Sequence, residues 1–371
     1  MKYDILLKGG TVIDPAQKLH DRRDVAVIDG KIAAIEEDIS AREATQTVFV
    51  DGKYVTPGLV DIHAHVYAGV TTWGVKADPV CTTTGVTTIV DAGSPGWATF
   101  PGFREYIAEP AQTHILTYVH ISGIGLVYGP VGEMHELEYA HPEKVADTLM
   151  QNRDITVGVK VRQGKSQVGD NGVEPLKLAI EAAKIADTSV MVHIGTGVPL
   201  PDVLKLMRPG DVVTHCFQGN GDCIVDDKGR VIPEAWAARE DGVIFDVGHG
   251  GGSFNYEVAQ RAMEQGFISD VISTDLHSGN INGPVYDLPT TLSKFLNLGL
   301  SFEEVIEKST IAAARAIGRE DALGHLKVGT VADIAVFDVI EGEFELFDTH
   351  GTMVIANRKL QADLTIREGK L

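Results

Sequence analysis

The feature that most constrains this chain is an alternation. Between residues 58 and 277, eight short apolar runs rich in β-branched residues recur, separated by stretches of helical pattern. The runs are 58–65, 86–91, 114–122, 155–162, 189–195, 211–217, 242–248 and 271–277. Several are near-continuous apolar segments, as strands buried on both faces should be. Helical candidates between them include 142–152, 174–186, 255–265 and 286–298. Eight strand–helix units predict an α/β fold, a (β/α)8 TIM barrel, with an open doubly wound sheet as the competing arrangement.

The ends of the chain read differently. Short strands are expected at 4–8, 24–28 and 31–35, with Asp29-Gly30 and Asp51-Gly52 as hairpin turns. This reads as a small antiparallel unit with too little apolar area to stand alone. After the eighth run, 301–317 reads as one helix, capped by Ser301 with Glu303 and Glu304 in its first turn. Strand patterns then return at 332–338, 343–347, 352–356 and 362–367. The expected organisation is a barrel over 54–324 and one small β sandwich built from both ends, 1–53 and 325–371.

Candidate chemistry sits near the ends of the predicted barrel strands. In Val60-Asp61-Ile62-His63-Ala64-His65, the two histidines are two residues apart, so a strand aims both imidazoles to one side, which suits a metal. Lys160 lies on the fourth run, His193 on the fifth, His215 on the sixth and Asp275 on the eighth. Each has a plainer reading: His193 as a satisfied core histidine, Asp275 as the cap of a turn. Lys160 is the odd one, because a lysine in an apolar strand is costly unless paired or modified. Six such residues at one rim of a barrel, where active sites are built, point to metal chemistry.

With these residues the sequence resembles the amidohydrolase superfamily, in its binuclear, carbamylated-lysine branch. The resemblance covers nearly the whole chain, including Pro57-Gly58-Leu59-Val60-Asp61-Ile62-His63-Ala64-His65 and Gly329-Thr330-Val331-Ala332-Asp333-Ile334. It is closest to the dihydroorotase-like deacetylase group, through Lys160-Val161-Arg162 and Ser273-Thr274-Asp275-Leu276-His277. The resemblance implies that His63, His65 and Asp275 bind the more buried of two divalent metals, and that His193 and His215 bind the other. Lys160, as its CO2-derived carbamate, would bridge the two together with a hydroxide. Zinc fits best, and manganese, iron or cobalt also suit such ligands. Asp275 would serve as both ligand and proton shuttle.

Departures from the resemblance narrow the substrate. Dihydroorotases of this kind carry an arginine where this chain has Tyr67, and hydantoinases a tyrosine where it has Lys165. Mononuclear deaminases place a glutamate where it has Thr196. Arg162 shares the parity of Lys160, so it is expected to face the same cavity and to take a carboxylate bidentately; its plainer reading is a salt bridge to a loop acid. His277 stands in the same relation to Asp275. His120, Ser122 and Tyr128 are expected to line the pocket. His249 and Gly250-Gly251-Gly252 read as a mobile loop and not a phosphate loop.

Composition sets the outer limits. The chain has 371 residues, 44% of them hydrophobic, with no apolar run of membrane-spanning length. Its start lacks the pattern of a signal peptide. A net charge of −20 disfavours nucleic acid and anionic membranes as partners. Cys81, Cys216 and Cys223 argue against a disulfide framework and for a reducing cytoplasm. The combined expectation is a metal-dependent hydrolase of a small carboxylate-bearing molecule. It would cleave an amide or ester, as in an N-acyl amino acid or an O-acyl α-hydroxy acid. A cyclic amidase and a non-catalytic scaffold barrel are the alternatives, and the sequence leaves room for a homo-oligomer.

Overall fold

Two hydrogen-bonded sheets divide the chain, and the computed structural model describes residues 2–371 of it. The first part supplies β1 (Tyr3–Asp14), β2 (Leu19–Ile28), β3 (Lys31–Glu36), β4 (Ala44–Phe49) and β5 (Tyr54–Pro57). The middle supplies β6 (Leu59–Ala64), β7 (Val86–Gly96), β8 (His114–His120), β9 (Thr156–Gln163), β10 (Ser189–Ile194), β11 (Val212–Thr214) and β12 (Ile244–Asp246). The end supplies β13 (Ile334–Phe347) and β14 (Met353–Ile366).

Strands β6 to β12 form one parallel seven-stranded sheet in sequential order. Its strands are buried on both faces: every residue of β7 and β9 is buried. Along β9, Val157, Val159 and Val161 pack into apolar clusters while Lys160 and Arg162 take the other side. Helices such as Pro142–Gln151, Glu174–Ala186, Tyr256–Glu264 and Leu288–Asn297 lie between the strands, close to their expected bounds. Among the described residues, no helix is long and apolar enough to cross a membrane.

The eighth run forms no ladder of its own. Instead, single parallel bridges tie Val271 to Asp246 at the end of β12 and Leu276 to Ala64 at the end of β6. Its backbone serves both neighbours: His249 and Gly250 donate to the Ser273 and Thr274 carbonyls, and Asp275 donates to the His63 carbonyl. The cause is local. Asp275 takes φ of +48°, which turns the chain away from the extended conformation a ladder requires. One apolar cluster draws Val60, Ile62, Val90, Leu116, Tyr118, Val157, Met191, Val212 and Val271 from successive strands and from this segment.

The ends of the chain share one mixed sheet, in the order β14-β13-β5-β1-β2-β3, with β4 also on β1. It is not purely antiparallel as expected, because β4 and β5 both run parallel to β1. The expected pairs of C-terminal strands merge into two long ones, β13 and β14, which pair antiparallel. Tyr54–Pro57 pairs with β13 in this sheet, so the switch between sheets falls at Gly58. The expected helix over 301–317 is broken into Phe302–Lys308 and Ile311–Ala316. The Ser309 and Thr310 hydroxyls donate to the Val305 and Ile306 carbonyls, and such local bonds compete with a continuous helix. The start of that segment is as read: Ser301 and Glu304 form a reciprocal capping box.

Candidate metal centre

β6 ends on His63 and Ala64, with His65 just beyond, and both imidazoles are buried at the strand ends of the parallel sheet. The Asp275 Oδ1 atom lies 3.3 Å from His63 Nε2 and 3.1 Å from His65 Nε2. One ligand atom from each of these three residues falls within 4.8 Å of the others. The Lys160 Nζ atom is 3.3 Å from His63 Nε2. The His215 ring lies 5.1 Å from that of His63 and 4.4 Å from that of His193, centre to centre. The six residues expected at the rim are therefore brought into one cluster.

The hydrogen bonds fix which way the imidazole lone pairs point. Thr214 Oγ1 donates to Asp246 Oδ2 at 2.7 Å, so it accepts from His63 Nδ1–H at 2.9 Å. His215 Nδ1–H donates to the Gly248 carbonyl at 2.6 Å. His65 Nδ1 meets the Ser94 hydroxyl at 2.9 Å. With the outer nitrogens engaged, Nε2 of His63 and His215 turn inward as acceptors, and His215 Nε2 is buried with no partner among the described residues. Burial holds His63 and His193 well below the ordinary histidine range and His215 down at about 4, so these rings are neutral at pH 7. Burial pushes the Asp275 carboxyl upward, but the hydrogen bond from His65 Nε2 opposes this and holds it below the usual carboxylate range. Bare lone pairs and a carboxylate oxygen thus confront one another, an arrangement a divalent cation relieves.

Lys160 is 1% exposed, and burial pulls its ammonium down to about 7. Among the described residues its only hydrogen-bond partner is His63 Nε2. Two glycines let the backbone approach this closely. A Cβ on Gly93 would meet Lys160 Cβ at 2.4 Å, and one on Gly248 would meet Thr214 Oγ1 at 2.1 Å. His215 and Asp275 themselves take positive φ, 71° and 48°, a strain of about 1–3 kcal/mol each that the surrounding bonds must hold.

Two carboxylates beneath the cluster were not singled out from the sequence. Asp61 accepts from Thr274 N at 3.1 Å and from Thr274 Oγ1 at 2.5 Å, clamping the residue before Asp275. Burial pushes Asp61 up to about 7 and Asp246 to about 6. A signal existed for Asp61, which has the same parity on its strand as His63. None existed for Asp246, whose role depends on Thr214 and Ser273 from the flanking strand and segment.

Beside the cluster lies a buried ion pair. Arg162 is 6% exposed and donates from Nε and Nη2 to the two carboxylate oxygens of Glu133, at 2.6 and 2.8 Å. The guanidinium sits 4.9 Å from the Trp73 ring centre. Trp73 in turn lies 5.9 Å from the His65 ring and 6.0 Å from that of His277, so Arg162, Trp73 and His277 adjoin the histidine cluster. His120 is fully buried next to Lys160 on the paired strand, and its Nε2 is 3.5 Å from Glu133 Oε1. Ser122 N donates to His120 Nδ1. Tyr128 stands 56% exposed on the loop after β8. Glu133 and Trp73 were missed because they lie in irregular loops, where no period announces a partner.

This arrangement has the layout of a metal-dependent hydrolase. The Amidohydrolase family signature matches residues 253–371. A deacetylase of Agrobacterium fabrum is 40% identical over 326 residues, covering 87% of this chain and 80% of that protein. The crystal structure of an adenine deaminase is 34% identical, with a TM-score of 0.93, and the match covers 99% of both chains. The crystal structure of a dihydroorotase is 35% identical, with a TM-score of 0.91, over 99% of this chain and 96% of that one. The chain belongs to the amidohydrolase superfamily and is a metal-dependent hydrolase. The relatives carry three different activity names at similar identity, so the substrate must be argued from the site.

Proposed function

We propose that this protein is a binuclear hydrolase that cleaves an amide or ester bond next to a carboxylate, in an N-acyl amino acid or an O-acyl α-hydroxy acid. The observation that carries the reading is Lys160, a buried amine whose single hydrogen-bond partner among the described residues is the His63 imidazole, in the cluster that also holds His65, Asp275, His193 and His215. An amine so placed is explained if it is carbamylated by CO2, which converts it into a two-oxygen anion able to bridge two cations. His63, His65 and Asp275 would hold one divalent ion, zinc first, and His193 and His215 the other. Such ions supply Lewis acidity towards a carbonyl and lower the pKa of water towards neutrality.

The chain's own residues do the rest. Asp275, an ionised carboxylate, takes the proton of the attacking water and delivers it to the departing nitrogen or oxygen as the acyl bond breaks. Asp61, through Thr274, keeps that carboxylate at the ends of β6. Arg162 takes the substrate carboxylate, and Trp73 and His277 form the wall between it and the reacting carbonyl.

Against a cyclic amidase of dihydroorotase type stands Tyr67, whose hydroxyl donates to the Thr99 carbonyl inside the core. Against one of hydantoinase type stands Lys165, which turns outward to Asp170. We read the parallel sheet and the 271–277 segment as a closed (β/α)8 barrel, and the mixed sheet as a curled sandwich. The boundary between them is placed at Gly58 rather than at residue 54. Three free cysteines suit a reducing cytoplasm. The test is a screen of metal-loaded protein against N-acyl D- and L-amino acids, acyloxy acids, and cyclic amides. Turnover of acyl acids alone supports the reading; turnover confined to cyclic amides overturns it.

A further inference from the structure

A guanidinium has two edges that can grip a carboxylate, the side edge Nε/Nη2 and the end edge Nη1/Nη2. In Arg162 the side edge is taken by Glu133, both of whose oxygens are engaged. The end edge keeps both Nη1 hydrogens and one from Nη2. The two-point bond also fixes the plane of the fork, and the Trp73 ring centre lies 4.9 Å from the guanidinium carbon. Glu133 is itself backed. Ser122 N donates to His120 Nδ1, so the His120 ring proton sits on Nε2, 3.5 Å from Glu133 Oε1. Glu133 is 3% exposed, and its loop is anchored from the other side, where Met134 N donates to the Gln167 carbonyl. Edge, plane and backing are thus all set before any substrate arrives.

We propose that Glu133 is the positioning residue for Arg162: by occupying the side edge of the fork it leaves the end edge as the one place where a substrate carboxylate can dock. This rests on the reading that Arg162 takes a carboxylate. It adds that Glu133 is neither a competitor for the site nor a loop fastener alone. Because the Arg162–Glu133 pair has no net charge, selection depends on a planar two-oxygen fit more than on attraction to a lone cation. Arg162→Lys should therefore be nearly as damaging as Arg162→Met, since an ammonium cannot serve Glu133 and substrate in one plane.

The experiment measures kcat and KM for an acyl acid and its neutral methyl ester in wild type, Glu133→Gln, Arg162→Met and the double variant. Melting curves and metal content are recorded alongside. Glu133→Gln is expected to lower the acid-to-ester ratio of kcat/KM by about tenfold to a hundredfold, mainly through KM. In the Arg162→Met background the same change should have no further effect on that ratio. Should the Gln variant fail to fold, Glu133→Asp, which keeps the charge but loses the reach, carries the same expectation. A wild-type ratio preserved in a folded Glu133 variant overturns the proposal. So does a lower KM for the acid, which would make Glu133 a competitor, or an effect that persists without Arg162. A wild type with no preference for the acid form removes the carboxylate reading itself, and this proposal with it.

Discussion

Two lysines in this protein are equally buried, each 1% exposed, and burial pulls each down to about 7. Their surroundings could hardly differ more. Lys294, on the helix Leu288–Asn297, donates to His249 Nε2 at 2.6 Å, to the Phe347 carbonyl at 2.7 Å and to the Pro284 carbonyl at 2.9 Å. An ammonium has three hydrogens, and here each has an acceptor. His249 Nδ1 completes the set against the Gly250 carbonyl, and its ring stacks on Phe254. This bracket ties the loop after β12 to the end of β13. Lys160 has only a neighbouring imidazole nitrogen. The first lysine is a finished structural joint; the second has a single hydrogen-bond partner among the described residues, which is why we propose that CO2 and metal complete it. Leaving a buried polar group short of partners costs roughly 1–3 kcal/mol, and that cost beside a histidine cluster is the ground for proposing a functional role for Lys160.

The contrast yields predictions that can break it, taken from the largest effect downward. Lys160→Ala should reduce kcat by on the order of 10³-fold or more, the several kcal/mol that metal-ion catalysis supplies. Short carboxylates added with the metal should restore part of the rate by standing in for the bridge, which steady-state kinetics would show. Asp275→Asn should lower kcat by about 10²–10⁴-fold while more of the metal is retained than of the activity, as rate and metal analysis together would reveal. Arg162→Met should depress kcat/KM for acids by about tenfold to a few hundredfold, with methyl esters much less affected, read from paired substrates.

The smallest effects concern stability, and here the two lysines should respond with opposite signs. Lys294→Met strands two carbonyls and an imidazole nitrogen and should cost about 2–4 kcal/mol in denaturant unfolding. Lys160→Met, in metal-free protein, replaces a buried amine that has one imidazole partner with an apolar chain and should be neutral or stabilising. Equal losses of stability in both would erase the distinction.

The same contrast explains what the sequence could announce. The parity of Lys160 and Arg162 survives from sequence to structure because both lie within β9, where strand geometry fixes it residue by residue, and His65, one residue past β6, still meets Asp275 together with His63. Helix 174–186 was legible to the residue, since its apolar period and terminal residues agree. The eighth run was legible as a position but not as a ladder, because the turn at Asp275 is held through Thr274 by Asp61, 213 positions away. Ser309 and Thr310 fit a helix interior by pattern, but their hydroxyls bond backwards. Glu133 and Lys294 could not be assigned partners at all. The acid reaches Arg162 across 29 positions, and the lysine reaches Phe347 across 53. No local period encodes such pairings.

The central claim is that Lys160 is completed by CO2 and metal, and carbon NMR tests it most directly. Protein is loaded with zinc in 13C-bicarbonate, and its carbamate carbon is compared with that of chelated protein and of Lys160→Ala, with metal content and activity measured on the same samples. The account predicts one carbamate signal per active chain with about two metals bound, lost on chelation and absent in the variant. A fully active, two-metal protein with no carbamate signal would contradict it.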